Sequence, residues 1–217
     1  MQNKIYVWEV PVRLTHWVNF ICLLVLSFTG VYISSPFITA ISSEQYIMGW
    51  IRFIHFVTAY VFVVNLAIRI YWSFSGNKYA TWRALLPFSN EQIGKLFKQM
   101  SFYALISRKP PHETGHTPLA GIVYFLLLVL CGFSVLTGFA LYSLSSHGGI
   151  ISTMFGWVFS IFTIPVTRLI HHLIMWLLLY FAILHVYIVL FLNSVEKNGI
   201  LGSIFDGYKF VETEKTK

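Results

Sequence analysis

The sequence predicts an all-α membrane protein: a four-helix transmembrane bundle with both termini cytoplasmic and a short interfacial segment between the third and fourth spans. Three observations carry this prediction. The first is composition: of 217 residues, 57% are hydrophobic and 11% charged, against about 45–50% and about 25% in a soluble domain. With a mean hydropathy of +0.70, the chain has too little charge to cover a water-facing surface, which excludes a soluble monomer. The second is length, because four apolar stretches reach the roughly 20 helical residues needed to cross a hydrocarbon core. The third is the one-sided placement of Lys and Arg, described below.

The first stretch, about 17–34, follows a polar, aromatic-rich segment and precedes Ser34-Ser35-Pro36 without a persuasive small-x-small cleavage site, so it reads as a retained helix and not a signal peptide. The second, about 53–72, carries the only internal Arg, Arg69 near its end. The third and fourth run about 119–142 and 169–192, and none of the four contains Asp or Glu. Trp17, Trp50, Trp72, Tyr71 and Tyr142 fall near the span ends, as an interfacial aromatic belt requires. A fifth apolar run, 150–164, is shorter, holds Gly156 and ends at Pro165; it reads as interfacial or partner-facing. The whole of 1–217 reads as one transmembrane domain.

Charge sets the orientation. Twelve basic residues lie before span one, between spans two and three, or after span four; only Arg52 and Arg168 follow spans one and three. The positive-inside rule then places both termini and the long middle loop in the cytoplasm, and four spans satisfy this where five do not. The pI near 9.4 thus reports membrane topology, and no nucleic-acid partner is implied.

The chemistry rests on histidine. Cys22 and Cys131 are isolated within spans, too few for an iron–sulfur cluster, and no C-x-x-C-H attaches a c-type haem. His16 opens span one, His55 opens span two, and His171, His172 and His185 lie in span four. Ionisable groups within spans are costly and usually functional. His171 and His185 stand 14 residues apart, about 21 Å of rise and about 40° of offset on one helix face. With alternating helix directions, His55 matches the depth of His171, and His16 that of His185. Two histidines facing each other across a bundle can supply both axial ligands to a haem iron, so two stacked haems are expected. A tetrahedral zinc site would need all four at one depth. His172 points about 100° away from His171 and reads as a core or interface residue.

Arg13, Arg52 and Arg168 each precede a candidate ligand by three residues, placing a guanidinium one turn nearer the membrane surface, where haem propionates would need a cation. Ordinary interfacial arginines that snorkel would show the same spacing. Gly30 stands 14 residues after His16, and Thr29-Gly30 recurs as Thr137-Gly138; Gly30 and Gly138 would admit a flat macrocycle or simply close helix packing.

Several motifs together resemble the b-type cytochrome subunit of membrane-bound nickel–iron hydrogenases. They are Tyr6 to Trp17 (Y-V-W-E-V-P-V-R-L-T-H-W), Arg52 to His55 with Arg69-Ile70-Tyr71-Trp72, Gly76-Asn77-Lys78-Tyr79, Gly115-His116-Thr117-Pro118, Thr137 to Tyr142, and Met175-Trp176 with His185-Val186-Tyr187. The similarity covers nearly the whole chain, and its one departure is His172, where relatives are expected to carry Arg. The resemblance implies a di-haem b anchor in the cytoplasmic (inner) membrane. It would relay electrons from the iron–sulfur small subunit of a periplasmic nickel–iron hydrogenase, partnered by its nickel–iron large subunit, to membrane quinone within the lipid. It also implies the pairs His55/His171 and His16/His185 as iron ligands, with no side-chain catalysis in this chain, and quinone near the cytoplasmic haem. His116, Arg69 and Asn65 are candidates for that quinone site. Rival readings are the cytochrome b subunit of another periplasmic oxidoreductase, such as formate dehydrogenase, or a cofactor-free transporter whose histidines relay protons. The lack of intramembrane carboxylates counts against the transporter.

Overall fold

Helix dominates because apolar runs in a low-dielectric environment must satisfy every backbone N–H and C=O internally. The computed structural model describes residues 2–38, 45–84, 86, 89–104, 106–107, 115, 117–145, 149–196 and 199–212. In chain order these form β1 (Gln2–Tyr6), α1 (Val10–Ser34), α2 (Ile47–Ser75), α3 (Asn90–Tyr103), α4 (Pro118–Ser143), α5 (Ile150–Phe155), α6 (Val158–Ile161), α7 (Ile164–Glu196), α8 (Ile200–Asp206) and β2 (Tyr208–Glu212). The helices α1, α2, α4 and α7 are long and apolar enough to span a membrane, which bears out the expected all-α membrane protein with four candidate spans.

Side-chain distribution supports the same conclusion. Phe28, Val64, Phe74, Leu126, Leu169, Leu177 and Ile183 are exposed, whereas Thr15, Ser27, Thr29, Asn65, Arg69, Ser73, Thr137, Ser143 and Thr167 are buried. A water-soluble fold would invert this. Most of the buried hydroxyls are satisfied by bonding back along their own helices: Thr15 Oγ1 donates to Pro11 O at 2.7 Å, Ser73 Oγ to Ile70 O at 2.6 Å, and Ser143 Oγ to Ala140 O at 2.7 Å, whereas Ser27 Oγ has no partner among the described residues.

The apolar run at 150–164 forms no helix long enough to be a candidate span. It breaks into α5 and α6 around Gly156-Trp157, with Ile150, Met154, Trp157 and Ile161 exposed. Pro165 does not end that segment; it occupies the first turn of α7, where a missing N–H costs nothing. The helix that carries the fourth expected span therefore begins at Ile164, before the apolar stretch at 169–192.

Three elements lie outside the sequence reading. The middle loop contains α3, opened by a capping box in which Ser89 Oγ accepts from Gln92 N and Gln92 Oε1 accepts from Ser89 N. After α7 comes the short α8. Finally β1 and β2 pair antiparallel, from Gln2 opposite Glu212 to Tyr6 opposite Tyr208, so the two ends of the described chain meet.

The chain divides into two packing units, and each of α1, α2, α4 and α7 contributes one segment to each. One unit comprises residues 1–17, 67–127 and 183–217; the other comprises 18–66 and 128–182. The first contains the paired strands and an apolar cluster of Val7, Trp8, Val12 and Ala80, flanked by Ile5, Trp72 and Tyr79. Glu9 secures this cluster: its Oε2 accepts from Trp72 Nε1 at 2.9 Å and from Asn77 N at 2.8 Å. Asn77 completes the join, donating from Nδ2 to Val7 O at 3.0 Å. In the second unit all four long helices touch: Asn65 Nδ2 donates to Asn19 Oδ1 at 2.6 Å between α2 and α1, and Phe56 packs on Tyr142 at 4.4 Å between α2 and α4.

Candidate functional site

Each unit holds one of the two histidine pairs expected from the sequence. In the second unit His55 on α2 lies within electrostatic range of both His171 and His172 on α7. Thr29 on α1 places its Oγ1 2.8 Å from His55 Nδ1, and Thr137 on α4 places its Oγ1 3.0 Å from His171 Nδ1. A hydroxyl has one proton to give. That of Thr29 goes to Val25 O at 2.6 Å, and that of Thr137 goes to Phe133 O at 2.8 Å. Each threonine oxygen therefore accepts from Nδ1–H of its histidine. This assigns the tautomer in both rings and leaves both Nε2 atoms with a free lone pair, the form that binds a metal.

The residue after each threonine is glycine, and each glycine lies against the ring its neighbour holds. A Cβ on Gly30 would come 3.5 Å from His55 Cε1 and 3.8 Å from Met175 Sδ. A Cβ on Gly138 would come 3.0 Å from His171 Cε1, closer than side chains normally allow. The recurring Thr-Gly dipeptide is thus one device used twice: a hydroxyl to orient the ring and an absent side chain to admit it. The sequence showed the repeat and the packing value of glycine; the role of threonine needed the partner helix.

In the first unit His16 on α1 faces His185 on α7, with ring centres 6.3 Å apart and planes at 54°. Trp17 stands edge-on to His16 at 5.4 Å and packs on Phe205 of α8 at 4.9 Å. Here no threonine holds His16: its Nδ1 is buried without a hydrogen-bond partner among the described residues. Other buried donors in this unit are also unmet. Arg13 Nη1 donates to Phe205 O, but Arg13 Nε has no partner. Arg69 is 3% exposed, its guanidinium lies 4.9 Å above the Tyr124 ring, and neither Nη1 nor Nη2 has a partner among the described residues. Removing the partner of a buried charge costs on the order of 3–5 kcal/mol, so unmet donors here mark a place built for an acceptor.

The remaining expected residues fall as follows. Arg52 and Arg168, in the second turns of α2 and α7, are exposed and make no ion pair among the described residues. His172 turns back to its own helix, with Nδ1 2.8 Å from Arg168 O. Asn65 is buried with its amide on Asn19. His116 lies outside the described residues, although its neighbour Thr117 accepts from buried Gln99 Nε2 at 2.5 Å. Cys22 and Cys131 are unbridged. Among the described residues, no three His, Cys, Asp or Glu side chains gather into a metal-binding group.

Comparison with known proteins gives a consistent result. Residues 7–207 match the family described as prokaryotic cytochrome b561. The chain is 36% identical to the probable Ni/Fe-hydrogenase B-type cytochrome subunit of Cupriavidus necator, over 94% of this chain and 86% of that protein. It is also 36% identical to the protein of the same name from Rhizobium leguminosarum bv. viciae, over 95% of this chain and 89% of that one. To the probable Ni/Fe-hydrogenase 1 B-type cytochrome subunit of Escherichia coli K12 it is 32% identical, covering 94% and 90%.

Proposed function

The chain belongs to the prokaryotic cytochrome b561 family, and from that premise we propose that it is the haem b electron-transfer subunit and membrane anchor of a nickel–iron hydrogenase, delivering electrons from periplasmic H2 oxidation to membrane quinone. The observation that carries this reading is the pair of two-histidine sites. The relatives named as hydrogenase cytochrome subunits, matched over most of their length, support the choice of partner.

The residues present fit haem. A macrocycle that brings its own four nitrogens needs two axial donors, and each site offers two imidazoles. The rings of His16 and His185 face each other with centres 6.3 Å apart, which leaves room for one metal ion that both would hold. Gly30 and Gly138 leave the space that a Cβ would take beside His55 and His171. His55 and His171 would therefore hold one haem b, and His16 and His185 a second. The bound haem supplies the one-electron redox change.

The chain's own side chains hold, orient and insulate. Thr29 and Thr137 keep Nε2 of His55 and His171 unprotonated and aimed. Arg52 and Arg168 sit one turn from their histidines, where extended guanidinium groups would reach propionates at the membrane surface. Arg13 offers its unmet Nε beside His16. The apolar exteriors of α1, α2, α4 and α7 exclude water and keep the local dielectric low. The excess of Lys and Arg at the ends and in the middle loop supports cytoplasmic termini in the inner membrane, and the β1–β2 pairing keeps both ends on one side. Hydrogenase small and large subunits would then dock on the opposite, periplasmic side, near His55 and His171. Quinone would be reduced near His16 and His185; of its three candidate residues, Asn65 is engaged with Asn19, His116 lies outside the described residues, and Arg69 is buried against Tyr124.

The test uses membranes containing the chain and its partner subunits. Addition of H2 is expected to reduce b-type absorption bands, and a quinone analogue to reoxidise them. Bands that respond to formate and not to H2 would move the chain to another oxidoreductase.

A further inference from the structure

An interval of 14 residues links two chemically distinctive positions in every long helix. It separates His16 from Gly30 on α1, His55 from Arg69 on α2, Tyr124 from Gly138 on α4, and His171 from His185 on α7. Fourteen residues return to nearly the same helix face, with an offset of about 40°. The eight positions divide evenly between the packing units: Gly30, His55, Gly138 and His171 belong to one, and His16, Arg69, Tyr124 and His185 to the other. In the first set the two helices without a histidine contribute glycine. In the second set the two helices without a histidine contribute Arg69 and Tyr124, which are in contact at 4.9 Å.

Arg69 is therefore the position on α2 that replaces a glycine-type cradle with a cation. It is 97% buried, the face of its guanidinium is covered by Tyr124, and both terminal nitrogens lack a partner among the described residues. The carboxylate of Glu9 is occupied by Trp72 and Asn77. A ring-backed guanidinium with two parallel N–H donors left over is shaped for a bidentate carboxylate. A neutral quinone carbonyl would leave the charge uncompensated.

We propose that Arg69, seated on Tyr124, binds a carboxylate of the group held by His16 and His185, namely a propionate of that haem. Arg69 is thus part of a haem site and not the quinone site. The inference rests on the two-haem reading above. With Arg13 one turn before His16, this site has two arginines, neither fully satisfied among the described residues, for two propionates.

The experiment is a spectroelectrochemical titration of both haems in the purified complex, comparing wild type with Arg69→Gln and Arg69→Lys at several pH values, alongside quinone-analogue kinetics. A nearby cation favours the reduced haem. Arg69→Gln is therefore expected to lower the midpoint potential of the His16/His185 haem and change its pH dependence, leaving the other haem unmoved. Arg69→Lys should recover part of the shift. Unchanged potentials and haem content in Arg69→Gln would overturn the assignment, and a raised KM for quinone beside them would return Arg69 to the quinone site. If Arg69→Gln does not accumulate, Arg69→Lys decides, since loss of the bidentate fork must alter the pH dependence of that haem alone. Absence of b-type bands in the wild type would instead sink the two-haem reading itself.

Discussion

The two histidine pairs draw on the same four helices but are held in different ways. His55 and His171 are braced from the side opposite their Nε2: each Nδ1–H is taken by a threonine whose own proton is spent on its helix backbone. His16 has no such brace, its Nδ1 lacking a partner among the described residues, and its surroundings supply arginines where the other pair has glycine. One site is specified through its ligands, the other through charge placed around whatever the ligands hold. Hydrogen bonding to Nδ1 raises imidazole basicity, so the two sites should hold chemically similar groups at different potentials, as a directional electron relay needs.

The comparison can be broken most severely at the ligands. His171→Ala is expected to abolish the haem of its own pair and spare the other, whereas His172→Ala should cost neither, because His172 bonds to its own helix; haem content per chain checks both. Next in size is removal of the brace. Thr137→Val or Thr29→Val keeps the shape but takes away the hydroxyl that accepts Nδ1–H, a loss of about 1 kcal/mol and roughly 10–100-fold in metal-site affinity. Retention during haem extraction should fall, and the potential shift, for the His55/His171 haem alone. Smaller effects come from filling the cradle. Gly138→Ala forces His171 to yield by a few tenths of an ångström, since the new Cβ would stand 3.0 Å from its Cε1. Gly30→Ala makes only an ordinary contact at 3.5 Å and should be the mildest, with thermal stability and the low-spin haem spectrum as readouts for both.

The sequence made some of this legible for physical reasons. A span must be about 20 residues of helix, so α1, α2, α4 and α7 stand out as apolar runs. Histidine is rare enough within spans that His16, His55, His171 and His185 stand out too, and the 14-residue spacing of the last two transfers directly to a helix. Helix ends were less visible. The long helices continue past the hydrocarbon length, as α7 does from Ile164 to Glu196, because Pro165 initiates a helix as readily as it terminates one. The β1–β2 pairing joins residues more than 200 positions apart and leaves no local pattern. The threonine braces were hidden because a small hydroxyl residue in a span reads as packing until the helix it faces is known. Arg69 was visible only as a lone cation; its covering ring and its unmet donors belong to the folded chain.

The most direct test of the central claim, two separate bis-histidine haem sites in one chain, is a dithionite-reduced minus oxidised spectrum with haem counted per chain for wild type, His55→Ala and His185→Ala. The expected result is b-type Soret and alpha bands with two haems in the wild type and one in each variant, a different one in each case. Absent bands, or two haems retained in either variant, would contradict it.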